Sequence, residues 1–253
     1  MGCLRGPCLY PKSPKHGFVS MTRQDTDYNP QGHTDEQLWA LALSAIITQK
    51  NGACHDRLSY GDPQLYNKLL QSWWDISDAD SYRESVAWLR TDGHRVIYND
   101  IYCRLSVTTY PEWQQRHQWL EKNDAGQALR ESLVWHYRFI LGNQSIIAWD
   151  LGRVILLARM AVTCGHITEQ EAWDTILADA KEAKKLFCNW YQFAHSYLIG
   201  RQFAMKNLDD AQGEEHLLAA HHLLTHPQSP WLRHPFRSPS LSENETIPTN
   251  VAH

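Results

Sequence analysis

The sequence lacks any surplus of positive charge. Its 24 lysines and arginines are outnumbered by 28 aspartates and glutamates, a formal net charge of -4. No global field gathers phosphates, and nucleic acid is not an expected partner. A long apolar run is also missing. The longest, Val154 to Val162, is interrupted by Arg159 and falls well short of the roughly 18 to 20 residues that span a bilayer, so no membrane partner is expected either. The six cysteines, at positions 3, 8, 54, 103, 164 and 188, form no CxxC pair, which reads as reduced thiols of a cytoplasmic protein rather than a disulfide framework. There is no GxGxxG, P-loop, GxSxG or HExxH. The motif-bearing nucleotide, serine-hydrolase and metalloprotease classes lose their support, and neither a cofactor nor a metal is expected.

The N-terminus contains no apolar stretch of the length a secretory signal requires. It opens Met-Gly-Cys, but Gly6 stands where the myristoylation pattern takes Ser or Thr. Residues 1–30 read as a disordered leader, with Met21 an alternative start, and residues 238–253 as a disordered tail, because neither segment can bury much apolar surface.

Between them, 43% hydrophobic content over 253 residues is ample for one large core, and the patterning is helical throughout. In "HTDEQLWALALSAIITQKNG", Thr34 and Gln37 form a capping box and Gly52 marks a stop, which predicts one helix. Asp62 caps a second, with Pro63 in its first turn. Ser77 or Asp78 caps a third, carrying Ala79, Tyr82, Val86 and Leu89 on one face and ending at Gly93. Residues 96–107 fit either helix or a short extended piece. Further helices follow from Pro111 to Leu120 and from Ala125 to Leu141, the latter closed by Gly142. Another begins after Thr168, whose box partner is Glu171, another after Asn189, and a last covers about Gln212 to Leu224. The expectation is an all-α protein, a single compact domain over residues 31–237 with eight or nine helices.

One segment stands apart. "SIIAWDLGRVILLARMAV", residues 145–162, is apolar nearly all round and so belongs at the centre, yet it carries Asp150 and Arg153 three positions apart. Buried alone, either charge costs several kcal/mol. The pair therefore ties the central helix to its neighbours or forms the polar floor of a pocket. His94 and Arg95, directly after a glycine stop, and Arg201, after Gly200 inside a helix, are candidates to join it. The Gly200 position suggests close approach of another element. The His-rich "EEHLLAAHHLLTH" gives poor metal spacing: only His222 and His226 stand in the i, i+4 relation. Eleven tryptophans fall mainly on apolar faces, and Trp149, Trp190 and Trp231, with Arg95, are the candidates to line a ligand groove.

The strings "WWDISDADSYRESVAWLRTDGHR", "AWDLGRVILLARMAVTCGHITEQEAW", "FCNWYQFAHSYLIGRQF" and "LLTHPQSPW" resemble, in order and spacing, bacterial domain-of-unknown-function family 1266 across about residues 35–235. Ala204 after Phe203 departs from the aromatic pair expected there. The resemblance implies a cytosolic bacterial protein and supplies no activity. Two readings stay open: a binding or regulatory module for a protein or small ligand, or an enzyme, a hydrolase or transferase, with Asp150 as base and Arg153 or Arg201 steadying an anion.

Overall fold

Short polar residues set most of the helix starts, as expected from sequence. In the computed structural model, which describes residues 28–206 and 211–237, the Thr34 side chain accepts from the Gln37 amide and begins α1 (Asp35–Leu41). A 3-10 turn at Ala42–Ser44 then separates it from α2 (Ala45–Lys50), so the single helix expected here is split. Asp62 caps α3 (Pro63–Trp74), Asp78 caps α4 (Ala79–Thr91), Asp124 caps α7 (Ala125–Leu141), Thr168 caps α9 (Glu169–Leu186) and Asn189 caps α10 (Trp190–Met205). Each satisfies amides that would otherwise be orphaned. The remaining elements are α5 (His94–Ser106), α6 (Tyr110–Asn123), α8 (Ile147–Thr163), α11 (Ala211–Thr225) and the single turn α12 (Pro230–Arg233). Nine helices, α3 to α11, have twelve residues or more, and no strand occurs among the described residues. The leader up to residue 27 and the tail from 238 lie outside the described residues.

Residues 96–107, ambiguous by pattern, are helical. Gly93 does not simply stop α4. It is the N-cap residue of α5, and the chain turns from one helix into the next within two residues.

The protein is built around α8. Thirteen of its seventeen residues are buried, with α3, α4, α9, α10 and the 3-10 turn packed on it. Two glycines permit the closest approaches. A Cβ at Gly152 would come 2.8 Å from the Tyr197 ring and 3.2 Å from the Leu43 carbonyl, and one at Gly200 would come 2.5 Å from the Cβ of Trp149. The second contact is with an atom fixed to a backbone, so no rotamer change relieves it. Gly200→Ala is expected to cost about 1–3 kcal/mol by forcing α8 and α10 apart, against the small gain in helix propensity of about 1 kcal/mol. A denaturant melt as stable as the parent's would contradict the close approach.

A second, smaller core lies at the far end of α5, α7 and α10, around Tyr98, Ile101, Leu133, Val134, Ile199 and Phe203. Glu131 of α7, wholly buried, is held there by Arg104 of α5 (2.9 Å), Arg116 of α6 (2.8 Å) and Gln127 (3.1 Å). Burial alone would raise its pKa; the two arginines and the amide overcome this and hold it down at about 2.

Candidate functional site

The start of α5 has no cap of its own, because Gly93 has no side chain to offer. Asp150, projecting from the first turn of α8, takes that place. Its Oδ2 lies 3.5 Å from the Arg95 amide and 3.2 Å from Arg95 Nη1, while its Oδ1 accepts from Arg153 Nη2. A Cβ at position 93 would sit 2.5 Å from Oδ2, so only glycine lets the carboxylate reach the helix end, where partial positive charge favours it.

Arg95 turns back across the junction. Its Nη1 donates to the Leu89 carbonyl (2.5 Å) and its Nη2 to the Arg90 carbonyl, both in the last turn of α4. Arg153 Nε donates to Trp149 O (3.2 Å), and its Nη2 reaches His94 Nδ1 at 3.2 Å. The Arg153 guanidinium also lies over two indoles, Trp149 at 4.7 Å and Trp74 at 5.4 Å, a stabilising arrangement for a desolvated cation. Asp150 and Arg153 are 2% and 3% exposed. Burial, then the positive charges of Arg153 and Arg130, lower the His94 pKa to about 3. The imidazole is neutral at physiological pH, with Nδ1 as acceptor for Arg153, and is too weak a base to take a substrate proton there.

Asp150, Arg153, His94 and Arg95 thus meet, and they form a knot joining the end of α4, the start of α5 and α8. Arg201 does not join it. The ion pairs and hydrogen bonds of Asp150 go to Arg95 and Arg153. Arg201, buried at 2%, follows the glycine that places the α10 backbone against Trp149.

The tryptophans singled out as groove candidates are core residues. Trp190 and Trp231 stack in parallel, 5.0 Å apart, inside a cluster with Trp39, Phe193 and Phe236. Their indole N–H groups donate to the carbonyls of His234 and Ala42, both at 2.9 Å. Trp149 is fully buried, its ring edge-on to Tyr197. The His-rich helix turns His216 inward and stacks His222 on His226 at 4.5 Å. No three His, Cys, Asp or Glu side chains gather as a metal site among the described residues.

Two features escaped the sequence reading. Arg159, which figured only as a break in an apolar run, is wholly buried: Nη1 donates to Ser44 and Thr48, Nη2 to the carbonyls of Cys54 and Arg57, Nε to Arg57, and the group lies 4.2 Å over Tyr60. It holds the 51–62 segment onto α8 through neutral oxygens. The logic applied to Asp150 and Arg153 would have found it.

The other is an aromatic strip with exposed ends. On α6 and α7, Tyr110 lies 6.3 Å from Trp135, Trp113 stacks on Trp135 at 4.8 Å, and the Arg138 guanidinium sits 3.6 Å over Trp135 and 4.3 Å over Phe139. Phe139 is 83% exposed, with Ile140 at 59% and Tyr110 at 55%. Phe139 and Ile140 border an open cleft of about 380 Å³ with Leu141, Gly142, Lys185, Leu186 and Gln192.

The comparisons agree with the resemblance read from sequence. Residues 69–236, from within α3 to the end of the aromatic cluster, match the family described as "Protein of unknown function (DUF1266)". The chain belongs to the DUF1266 family. Its relatives include two proteins of Escherichia coli strain K12: uncharacterized protein YbeR, 28% identical over 180 residues, 70% of this chain and 74% of YbeR, and uncharacterized protein YbeU, 22% identical over 173 residues, 67% of this chain and 72% of YbeU. No solved structure matches. The Asp150 knot lies wholly within the DUF1266 region, as does the aromatic strip. No helix of the described residues in this DUF1266 protein is long and apolar enough to cross a membrane.

Proposed function

We propose that the chain is a cytoplasmic binding module whose docking face runs from Tyr110 on α6 to Ile140 at the end of α7. The observation that carries this reading is the continuity of exposed Tyr110, Phe139 and Ile140 with the half-buried Trp135 and Arg138 that link them. Aromatic residues and arginine are the side chains enriched in protein interfaces, and contiguous apolar surface on a soluble protein marks an interaction site. Four free cysteines among the described residues suit a reducing compartment.

The alternative, a hydrolase or transferase built on Asp150, Arg153 and Arg201, requires a carboxylate oxygen open to substrate. Asp150 has one oxygen on Arg153 and the other on Arg95, and its ion pairs do not include Arg201. A photo-reactive side chain placed at Phe139 or Tyr110 in living cells is expected to give a discrete covalent adduct, and one at exposed Lys68 on α3 none. No adduct at either aromatic position would overturn the docking face.

A further inference from the structure

We propose that the partner at this face is a second copy of the chain, bound about a two-fold axis with Phe139 of each copy seated in the cleft of the other. The inference rests on the docking face described above and names its occupant.

Shape is the first argument. The most exposed ring of the strip, Phe139, projects beside a cleft whose walls include Leu141, Leu186 and Gln192. A knob adjoining a hole on one surface is what an isologous contact uses, since a two-fold rotation brings each knob to the other's hole. The cleft, about 380 Å³, is at the small end of the roughly 300–1,000 Å³ of ligand pockets, and it is open enough to admit a side chain carried by another surface.

Charge is the second. The last turns of α9 border this cleft through Lys185, and they carry both signs. Glu182 and Lys185 are paired at 2.6 Å and both are largely exposed, with Lys181 and Asp174 beside them on a neighbouring cleft. Lys184, also exposed and lining that neighbouring cleft, holds its ammonium 4.6 Å over the Trp39 ring. A strongly acidic or strongly basic partner would meet repulsion as well as attraction on such a rim. Two α9 ends running antiparallel across a two-fold axis place Glu182 of each copy against Lys185 of the other, so the rim complements itself.

Sedimentation velocity on the full chain, from about 1 to about 100 µM, is the test. Concentration-dependent dimer is expected. Phe139→Ser should raise the dissociation constant at least about tenfold, the effect of removing a central aromatic anchor, with an unchanged thermal melt at a dilution where both proteins are monomeric, because the ring is exposed. Lys185→Glu and Glu182→Lys should each weaken the dimer, and the double exchange should restore it. A dimer indifferent to Phe139→Ser, or a double exchange that restores nothing, overturns the two-fold arrangement. A monomer throughout the range overturns self-association. In that case, cell adducts at Phe139 that differ in mass from twice the chain keep the docking face and discard only its assigned occupant, whereas their absence removes both.

Discussion

Asp150→Asn is expected to lower the unfolding free energy by about 3–5 kcal/mol, the range for removing one partner of a buried ion pair. The side chain keeps its shape but loses its charge, leaving Arg153, 3% exposed, and the partly buried Arg95 with no carboxylate between them. It also weakens the carboxylate that caps α5 from outside, so the loss falls on the α4–α5 turn as well as on α8. Arg153→Gln is expected to be nearly as costly, because Asp150 retains only Arg95 and His94 loses its donor. The two changes should be strongly non-additive: once one charge of the pair is gone, removing the other relieves an unpaired group. Denaturant melts of both singles and the double decide this. Singles within about 0.5 kcal/mol of the parent, as at ordinary surface positions, and additive in the double would show that the knot does not hold the fold. A gain in stability would point instead to a strained functional site.

Mild acid is the second large lever. His94 and His55 both have pKa values lowered to about 3, His94 by burial, Arg153 and Arg130, and His55 by burial, Arg159 and His222. In the unfolded chain each titrates near 6.5. Between about pH 6.5 and 3 the unfolded state therefore binds more protons than the folded one, and stability falls as pH falls through that window. From pH 7 to pH 5 each histidine withdraws about 2 kcal/mol, about 4 kcal/mol together, a large part of the 5–15 kcal/mol typical of a folded protein. Glu131, with its pKa held at about 2, acts with the same sign but below the unfolded carboxyl value near 4.3, so the pH 5–7 slope belongs mainly to the histidines. Unfolding free energies at pH 7, 6 and 5 should show the decline, and His94→Gln should remove about 2 kcal/mol of it; His33, His222 and His234, whose pKa values burial also lowers, add to the decline with the same sign. A stability flat over this range would mean that His94 and His55 are not held neutral.

His94 and His55 also show how unevenly the sequence announced its chemistry. His94 drew attention because it follows a glycine at a helix boundary. His55 did not, because the 51–62 segment has no periodicity, and its burial depends on α2 and the arginine of α8 reaching it from 104 positions away. The same holds for surface. Phe139 and Ile140 are apolar yet exposed, while the adjoining Leu141 is buried, so apolar character alone does not tell which side of the end of α7 is covered.

The sequence by itself determined the helix content, the starts capped by Thr34, Asp62, Asp78, Asp124, Thr168 and Asn189, and the central position of α8. Caps, turn glycines and apolar periodicity act within about four residues along the chain, so one sequence contains them whole. Only the tertiary structure decided the starts of α5 and α8, which are capped from other helices: Asp150 serves α5, and Ser196 of α10 accepts from the Ala148 amide while donating to the Ser145 carbonyl. It alone also sent Arg95 into the knot and Arg201 away from it. A charge on an enclosed helix must be satisfied, which its neighbours in sequence reveal, but the group that satisfies it is fixed by packing between segments about fifty or a hundred residues apart, where no local rule reaches.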